Sequence, residues 1–539
     1  MNVKIVAAAV AAVVVVAAVA AALVASSGDG SDTYGADITD GEYPTNLMIL
    51  GNANLDDYLD EDDVELIESL AESAPDDGDG YAEFYAANYF ADANYDGRID
   101  GDDADCVRSM LEGEWDEIVY VYYLDANFEI SSFDMTMSTR NLITLICPPL
   151  DNVLILNPDL LVGTDSRPLT GQFMPQYEGV LADIEERNGR TLYNVGLASS
   201  PTLETISAAS AAYGGELVVV CGDDGYGEGM EDTLAASGVQ VVRLPTWEYG
   251  GTLPGLLTLA FILDVDDSDG VSEMDVAYEY EEWYSDIEGY VQGCVSAVPD
   301  GDAPGAAVAY AYTDPMQLLG SYTAEYNNLL KLGVGDVAGE YFGGGATGGH
   351  GTQVSDETIA DLAANHGLDV LVGLVGAPFQ VEDNESSSST DQATSAGLAS
   401  VYDSWTAELS SIVGDMEFYV AGYSFLSGAS EPLGELILGY IFYGEEYGFT
   451  LEYLEQKVDE YCRWIGIYDI DGDGVTETYD SDGRPYEWCF ANMNLVYGGE
   501  GNPKNIMNRD SYAYRGGRGW ARRASRGGSA APKGAARTR

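Results

Sequence analysis

Only two histidines, His350 and His366, occur in 539 residues, and the six cysteines (Cys106, Cys147, Cys221, Cys294, Cys462, Cys489) form no C-x-x-C pair. A tetrahedral zinc centre needs nitrogen or sulfur ligands at close spacing, so the expectation excludes a zinc enzyme. The thiols read as buried groups or as one or two disulfides. There is also no G-x-S-x-G elbow and no G-x-x-x-x-G-K-[ST] loop, which removes the serine-hydrolase and nucleotide-phosphate readings. Basic side chains are the next scarcity. Lysine and arginine number 22 against 92 acids, for a formal net charge of -70. Such a surface repels nucleic acid and anionic lipid, and neither is expected as a partner. Carboxylates are too abundant for any pair to stand out as glycosidase machinery, so no enzyme is expected.

What is present is distributed unevenly. Hydrophobic residues make up 46% of the chain and aromatics 11%, enough for several packed cores. At the amino terminus, Ile5 to Ala25 is an uncharged run of alanine, valine, isoleucine and leucine after Lys4. Residues 1–27 are read as a signal peptide or membrane anchor, placing the protein outside the membrane, secreted or anchored at the cell surface. At the other end, residues 501–539 hold ten basic residues and one acid, Asp510. The Arg/Gly/Ala-rich stretch 498–539 has no apolar period and is expected to be disordered. The serine-rich stretch 382–395 reads as an exposed insertion, with Asn384 opening an N-x-S sequon.

Residues 92–103, DANYDGRIDGDD, place Asp92, Asn94, Asp96, Asp100 and Asp103 at alternating positions, with Gly97 at the sixth place and the Arg98 carbonyl between them. A calcium loop needs this set: oxygen ligands, a glycine for the sharp turn, and an apolar residue, here Ile99, turned to the core. Forty residues upstream, NANLDDYLDEDD repeats the pattern with Asn52, Asn54, Asp56, Asp60 and Asp63. Asp57 replaces the glycine and Asn52 the first acid, so weaker binding is expected. Each loop precedes a helical pattern, and the two units over residues 40–113 resemble a dockerin module. That resemblance implies a small all-α, EF-hand-like calcium-folded domain that docks onto a cohesin. A third loop, DIDGDGVTETYD, sets Asp469, Asp471, Asp473, Glu477 and Asp480 at the same offsets and opens an acidic extension over 469–497.

Between about 117 and 468, short β-branched runs alternate with helical stretches, the pattern of α/β layers with parallel strands. Strands are expected at 117–124, 142–147, 159–163, 216–221, 239–244, 306–312, 369–376 and 417–422. They fall in two groups around one long helix over 272–298, whose stripe Val276, Tyr280, Trp283, Ile287, Val291, Cys294 and Val298 runs some 35 Å. NPDLLVG, LVVVCGDDG, AASGVQVVRLP, the long helix, AAVAYAYTD and ASEPLGELILGYIFYGEEYG follow in the order of a helical-backbone (class III) substrate-binding protein. The chain resembles that family, which delivers iron-siderophore, haem or cobalamin complexes to ABC permeases.

The resemblance implies two α/β lobes, 114–262 and 299–468, joined by the rigid helix, with a metal chelate held between them. The cleft is expected where strands end. Arg167 would pair with an anionic chelate or with its neighbour Asp165. Trp247, Tyr322 and Phe425 would stack on a planar ligand, and His350 in its glycine-rich stretch would reach a metal. Two functions follow: capture of a metal chelate for an ABC importer, or calcium-dependent attachment to a cohesin-bearing, polysaccharide-degrading assembly. In both, Ca2+ is a structural cofactor.

Overall fold

A computed structural model describes residues 43–465 apart from 76–78, 116–117, 137–139, 170–175, 224, 247–249, 265–271, 300, 311–315, 321–322, 343–350, 376–401, 403–404, 406, 408, 410–412, 414–415, 423–425 and 427, together with 496–498. The first strand is tyrosine-rich. Tyr120–Leu124 (β1) and Ile130–Asp134 (β2) pair antiparallel with Val121 opposite Phe133. The run 117–124, expected within the parallel layers, forms this separate hairpin instead. Asp125 reverses the chain by accepting the Asn127 and Glu129 N–H groups (2.8 and 3.1 Å) and the Ser131 hydroxyl (2.7 Å). The other side of β1 is taken by residues 48–50, since Leu50 donates to the Tyr122 carbonyl and Leu124 to that of Met48, each at 2.9 Å. Met48 in turn donates to the Thr258 hydroxyl at 3.1 Å. Main-chain bonds therefore tie the loop-helix units to the first lobe.

That lobe is built on Leu142–Thr144 (β3), Leu161–Thr164 (β4), Tyr193–Asn194 (β5), Leu217–Cys221 (β8) and Val239–Arg243 (β9). A small hairpin, Gly196–Leu197 (β6) with Ser200–Pro201 (β7), intervenes. The sheet order is β5-β4-β3-β8-β9 and every pairing is parallel. All five residues of β8 are buried, as expected for a central strand covered by helices on both faces. β3 is shorter than the run 142–147 suggests. Ile146 turns to φ +68° and Cys147 opens a helix whose next two residues are Pro148 and Pro149, so the ladder cannot continue.

The second lobe holds Gly305–Tyr310 (β10), Gln317–Leu319 (β11), Gly335–Asp336 (β12), Gly351–Gln353 (β13), Val370–Val375 (β14), Glu417–Gly422 (β15) and Val496–Gly498 (β16). Their order is β13-β11-β10-β14-β15-β16, with β12 also beside β10. β10, β14 and β15 run parallel at the centre, while β11, β13 and β16 add antiparallel edges. The α/β class is thus the one expected from the alternation of runs, and the two-lobed plan the one the resemblance implies.

The long helix is Glu273–Val295, 23 residues, capped by Ser272 accepting the Asp275 N–H. It packs against Cys147–Leu156 and Thr252–Asp264 of the first lobe and Glu431–Phe442 of the second. Its buried face carries Ala277, Tyr280, Trp283, Tyr284, Ile287, Val291 and Cys294. One continuous apolar core joins both lobes through this face, running from Leu150 and Leu256 to Leu433, Ile437 and Tyr461. At Gly428 (φ +61°), a Cβ would stand 3.0 Å from the Pro148 ring, so the lobes meet there with no room for a larger residue. A hinge this filled resists bending, because close-packed side chains have no slack to yield. The five described cysteines are all free thiols, four of them buried.

Candidate functional site

In an open parallel sheet the crevice lies beyond the carboxyl ends of the strands, where strand order reverses. In the first lobe that point falls between β3 and β8. Asp165, fully buried after β4, accepts the Ile146 N–H at 2.9 Å and thereby holds the left-handed turn at the end of β3. Its other oxygen accepts the Arg167 N–H (2.9 Å) and Nε (3.1 Å). Asp165 is therefore a clamp for the crevice wall, and Arg167 presents a guanidinium that is anchored yet 29% exposed. The loop after β8 is pinned by a residue the sequence reading passed over. Buried Arg243 donates to the carbonyls of Gly222, Asp223, Tyr226 and Gly227 and pairs with Glu231 at 2.6 Å. An arginine closing the valine-rich strand VQVVR was the available signal. Trp247, Tyr322, His350 and Phe425 lie outside the described residues, as does the third acidic loop, Asp469 to Asp480.

Behind the crevice, two polar clusters fasten the lobes. Thr252 of the first lobe donates to the Gly428 carbonyl (2.8 Å) and to Glu431 (3.1 Å), both in the second. Lys331 bonds Glu435 at 2.6 Å and Glu288 of the long helix at 2.9 Å. Burial raises Glu431 above the usual carboxylate range and brings Glu435 to about 7, with Lys331 opposing both shifts. A cavity of about 240 Å³ opens beside this cluster, lined by Lys331, Glu288, Glu281, Tyr284, Asp57 and Gly250 among others. The second cluster is Asp151, which accepts the hydroxyls of Tyr177 (2.5 Å) and Tyr461 (2.9 Å), one from each lobe. Both clusters were visible as anomalies: an acid inside CPPLDNVLIL, a lysine inside NNLLKLGV, and two acids four apart in EPLGELILGYIF.

Burial raises Asp151 to about 7. With the folded pKa above the unfolded one, the folded state binds the extra proton between roughly pH 4 and 7, so stability falls as pH rises through that window. Asp151→Asn is expected to remove this share of the pH dependence, on the order of 4 kcal/mol for a shift of about three units. Urea denaturation of both proteins at pH 4.5 and 8 checks it; parallel slopes would refute the assignment.

The second acidic loop is organised as its spacing demands. Gly97 takes φ +85°, and Asp92 accepts the N–H groups of Asp96 and Gly97 (both 3.0 Å) and the Tyr85 hydroxyl (2.6 Å). Asp103 closes the loop by accepting the Asn94 and Asp100 N–H groups (3.2 and 2.9 Å), while Asn94 and Asp96 each accept an N–H at 2.9 Å. The first loop repeats these bonds: Asp63 accepts from Asn54 and Asp60, Asn54 from Asp56, and Asp56 from Tyr58. Leu55 at φ +58° matches Tyr95 at +55°. The copies differ where their sequences do. Asp57, in the place of Gly97, accepts the Asn46 N–H, and the Asn52 amide donates to the Leu47 and Asp56 carbonyls. Both loops open helices, Glu61–Ser73 and Gly101–Glu112, that pack on one another.

Do these residues suit a hard cation? The donors are all oxygen, the kind calcium takes. Asp92, Asp103 and Asp63 are fully buried with no basic side chain paired to them among the described residues. Burial, aided by neighbouring carboxylates, lifts Asp103 to about 7 and Asp63 to about 6. The Asn52 Oδ1 is buried without a hydrogen-bond partner. In kind and in charge the residues fit such an ion. Against this, no group of three or more histidine, cysteine, aspartate or glutamate side chains is gathered to hold a metal among the described residues.

No helix of the described residues is long and apolar enough to cross a membrane, and residues 1–27 lie outside them. No family model matches the chain, and no curated protein matches it in sequence. Among solved structures, it is similar to a TroA-like periplasmic binding protein, FepB, from Veillonella parvula (TM-score 0.46, 13% identity, 64% of this chain and 95% of that one). It is also similar to the molybdate periplasmic binding protein MolA of Haemophilus influenzae (0.43, 12%, 64% and 97%). A third is an ABC-type Fe3+-hydroxamate transport system protein from Saccharomonospora viridis (0.39, 16%, 60% and 98%). At these values the reading of function rests on the chain's own residues.

Proposed function

We propose that the chain is an extracytoplasmic solute-binding protein that captures a metal chelate, of the iron-siderophore, haem or corrinoid kind, and presents it to an ABC permease. The observation that carries this reading is the pair of parallel-sheet lobes fastened to one rigid helix by a continuous core. Such a frame holds two crevice walls at fixed separation, which suits a bulky, preformed complex better than a small solute requiring closure. Arg167, anchored on Asp165, supplies a positive group to an anionic chelate, with Trp247, Tyr322, His350 and Phe425 as further contacts. No covalent chemistry is needed for this role. Calcium has a structural part, held by Asp92, Asn94, Asp96, Asp100, Asp103 and the Arg98 carbonyl. The first loop binds more weakly, and the loop from Asp469 to Asp480 is a further calcium site.

The test is a thermal-shift screen of the intact chain against ferric siderophores, haem and corrinoids. A true ligand at a hundred times its Kd stabilises the protein by about 2.7 kcal/mol. Arg167→Ala is expected to lower the affinity for an anionic chelate about tenfold while leaving the ligand-free melting temperature within a degree or two. A screen in which no member of the three classes moves the transition removes the reading.

A further inference from the structure

A groove of about 360 Å³ lies away from the crevice, between the helix Gly101–Glu112 and β1, lined by Asn94, Asp102, Asp105, Tyr120, Tyr122 and Val119 among others. Two tyrosine rings line it, Tyr120 and Tyr122, 6.3 Å apart between ring centres, and Tyr95 packs beside Tyr122 at 5.1 Å. Large hydrophobic side chains are rarely exposed in the described residues, yet Tyr95 (43%), Val119 (53%) and Tyr120 (44%) are exposed together here. Such a concentration marks an interaction surface. Its charge is acidic. Asp105 pairs with Arg108 at 2.6 Å, whereas Asp102 has no side-chain hydrogen bond or ion pair among the described residues. Buried Asp92 and Asp103 stand in the adjoining loop. Aromatic faces beside carboxylates select a cation, and a planar guanidinium above all, since it stacks on a ring and forks to a carboxylate at once.

The chain itself carries such a segment. Residues 501–539 bring eight arginines, two lysines and one acid, while the preceding 500 residues hold 91 acids against 12 basic residues. Arg515, Arg518, Arg522, Arg523 and Arg526 surround Trp520 within twelve residues. From Gly498, the end of β16, the chain extends by roughly 55 Å to reach Arg515 and roughly 90 Å to reach Arg526, so the segment can lie well away from the edge of the second sheet. We propose that the arginine-rich segment 512–526 docks in the tyrosine and aspartate groove of its own chain. There its arginines stack on Tyr120 and Tyr122 and pair with Asp102. The contact covers the exposed rings and neutralises the charge of Asp102. Being electrostatic in large part, it weakens as salt screens it.

The test uses the intact chain and brief trypsin digestion, following cleavage after Arg515 to Arg526 by mass spectrometry. At low ionic strength these sites are expected to be cut about tenfold more slowly than in a variant carrying Tyr120→Ser and Asp102→Asn, both exposed positions. The difference should vanish in 0.5 M salt. A control variant, Asp232→Asn with Glu204→Gln, removes two acids elsewhere on the surface. Protection retained in the control and lost in the groove variant supports the assignment. Equal cleavage in all three proteins overturns it, as does equal loss in both variants, which would mean diffuse attraction to an acidic surface. Protection that grows with protein concentration assigns the segment to a second copy and likewise overturns docking within one chain. Circular dichroism of the groove variant identifies any loss that comes from misfolding, and a peptide of sequence 512–526 then supplies the second measurement. Added in excess to the intact wild-type chain, it should displace the segment and raise cleavage about tenfold; no rise overturns the proposal.

Discussion

Lys331→Met is expected to cost about 3 to 5 kcal/mol at pH 8 and much less at pH 5. The ammonium stands between Glu435, whose side chain is 2% exposed, and Glu288 of the long helix, and its charge also opposes the raised pKa of fully buried Glu431. Removing one partner of a buried charged set leaves the others uncompensated in a medium that solvates them poorly, and that residue of unpaired charge sets the cost. Glu435 already titrates near 7 with the lysine present, so without it both carboxyls shift further upward. The sign follows from the raised folded values. The fold holds protons that the unfolded chain has released, so stability falls with rising pH from roughly pH 4.5 to above 7. The variant should therefore show a steeper decline than the wild type across this window. Adding Glu435→Gln should recover a large part of the loss at pH 8, the coupling expected of groups in contact. A cost that is independent of pH, or absent at pH 8, would show that the cluster does not fasten the lobes as described.

Calcium added to the metal-free protein is expected to stabilise it by about 3 kcal/mol at a hundred times the Kd, and Asp92→Ala with Asp96→Ala to abolish most of that gain. The reason lies in the charge left on the second loop. Asp92 and Asp103 are buried beside one another with backbone N–H donors as partners and no basic side chain among the described residues, a set that a divalent ion would relieve. The gain should reach beyond the loops. Tyr58 of the first loop stacks on Tyr278 of the long helix at 4.8 Å, and residues 48–50 hydrogen-bond to β1. Calorimetric titration of the intact chain measures the uptake, and denaturation with and without calcium measures the gain. The double variant binding calcium as the wild type does would eliminate the loop as a site. Magnesium is the useful comparison, since its small octahedral shell suits a loop of this many ligands poorly.

Much of the fold was legible in the order of residues. All eight apolar runs contain strands, seven of them in the two large sheets, because buried parallel strands demand unbroken β-branched stretches such as LVVVC. Of the seven stripe residues that located the long helix, five are buried and Val276 and Val298 pack against the same core, since period 3.6 admits few alternatives over 23 residues. The departures have local causes. Two prolines end β3 early, an aspartate-centred turn folds β1 into a hairpin, and edge strands of two or three residues such as β5, β12 and β13 carry too little pattern to register.

The site divides differently. Composition and spacing alone determined that this chain is acidic, poor in metal-binding nitrogen and sulfur, built of α/β layers with strands in two groups around one long helix, and equipped with two loops of matching oxygen pattern. Those properties depend on residue type and on short-range geometry, which sequence records directly. That Asp165 holds Arg167 and the Ile146 turn, that Asp151 meets Tyr177 and, 310 positions away, Tyr461, and that Lys331 meets Glu288 and Glu435, only the tertiary structure decided. A charge run or a lone buried acid looks the same in sequence whether its partner is water or a side chain hundreds of residues away. Folding chooses between them, because burial makes an unpaired charge costly and a paired one tolerable.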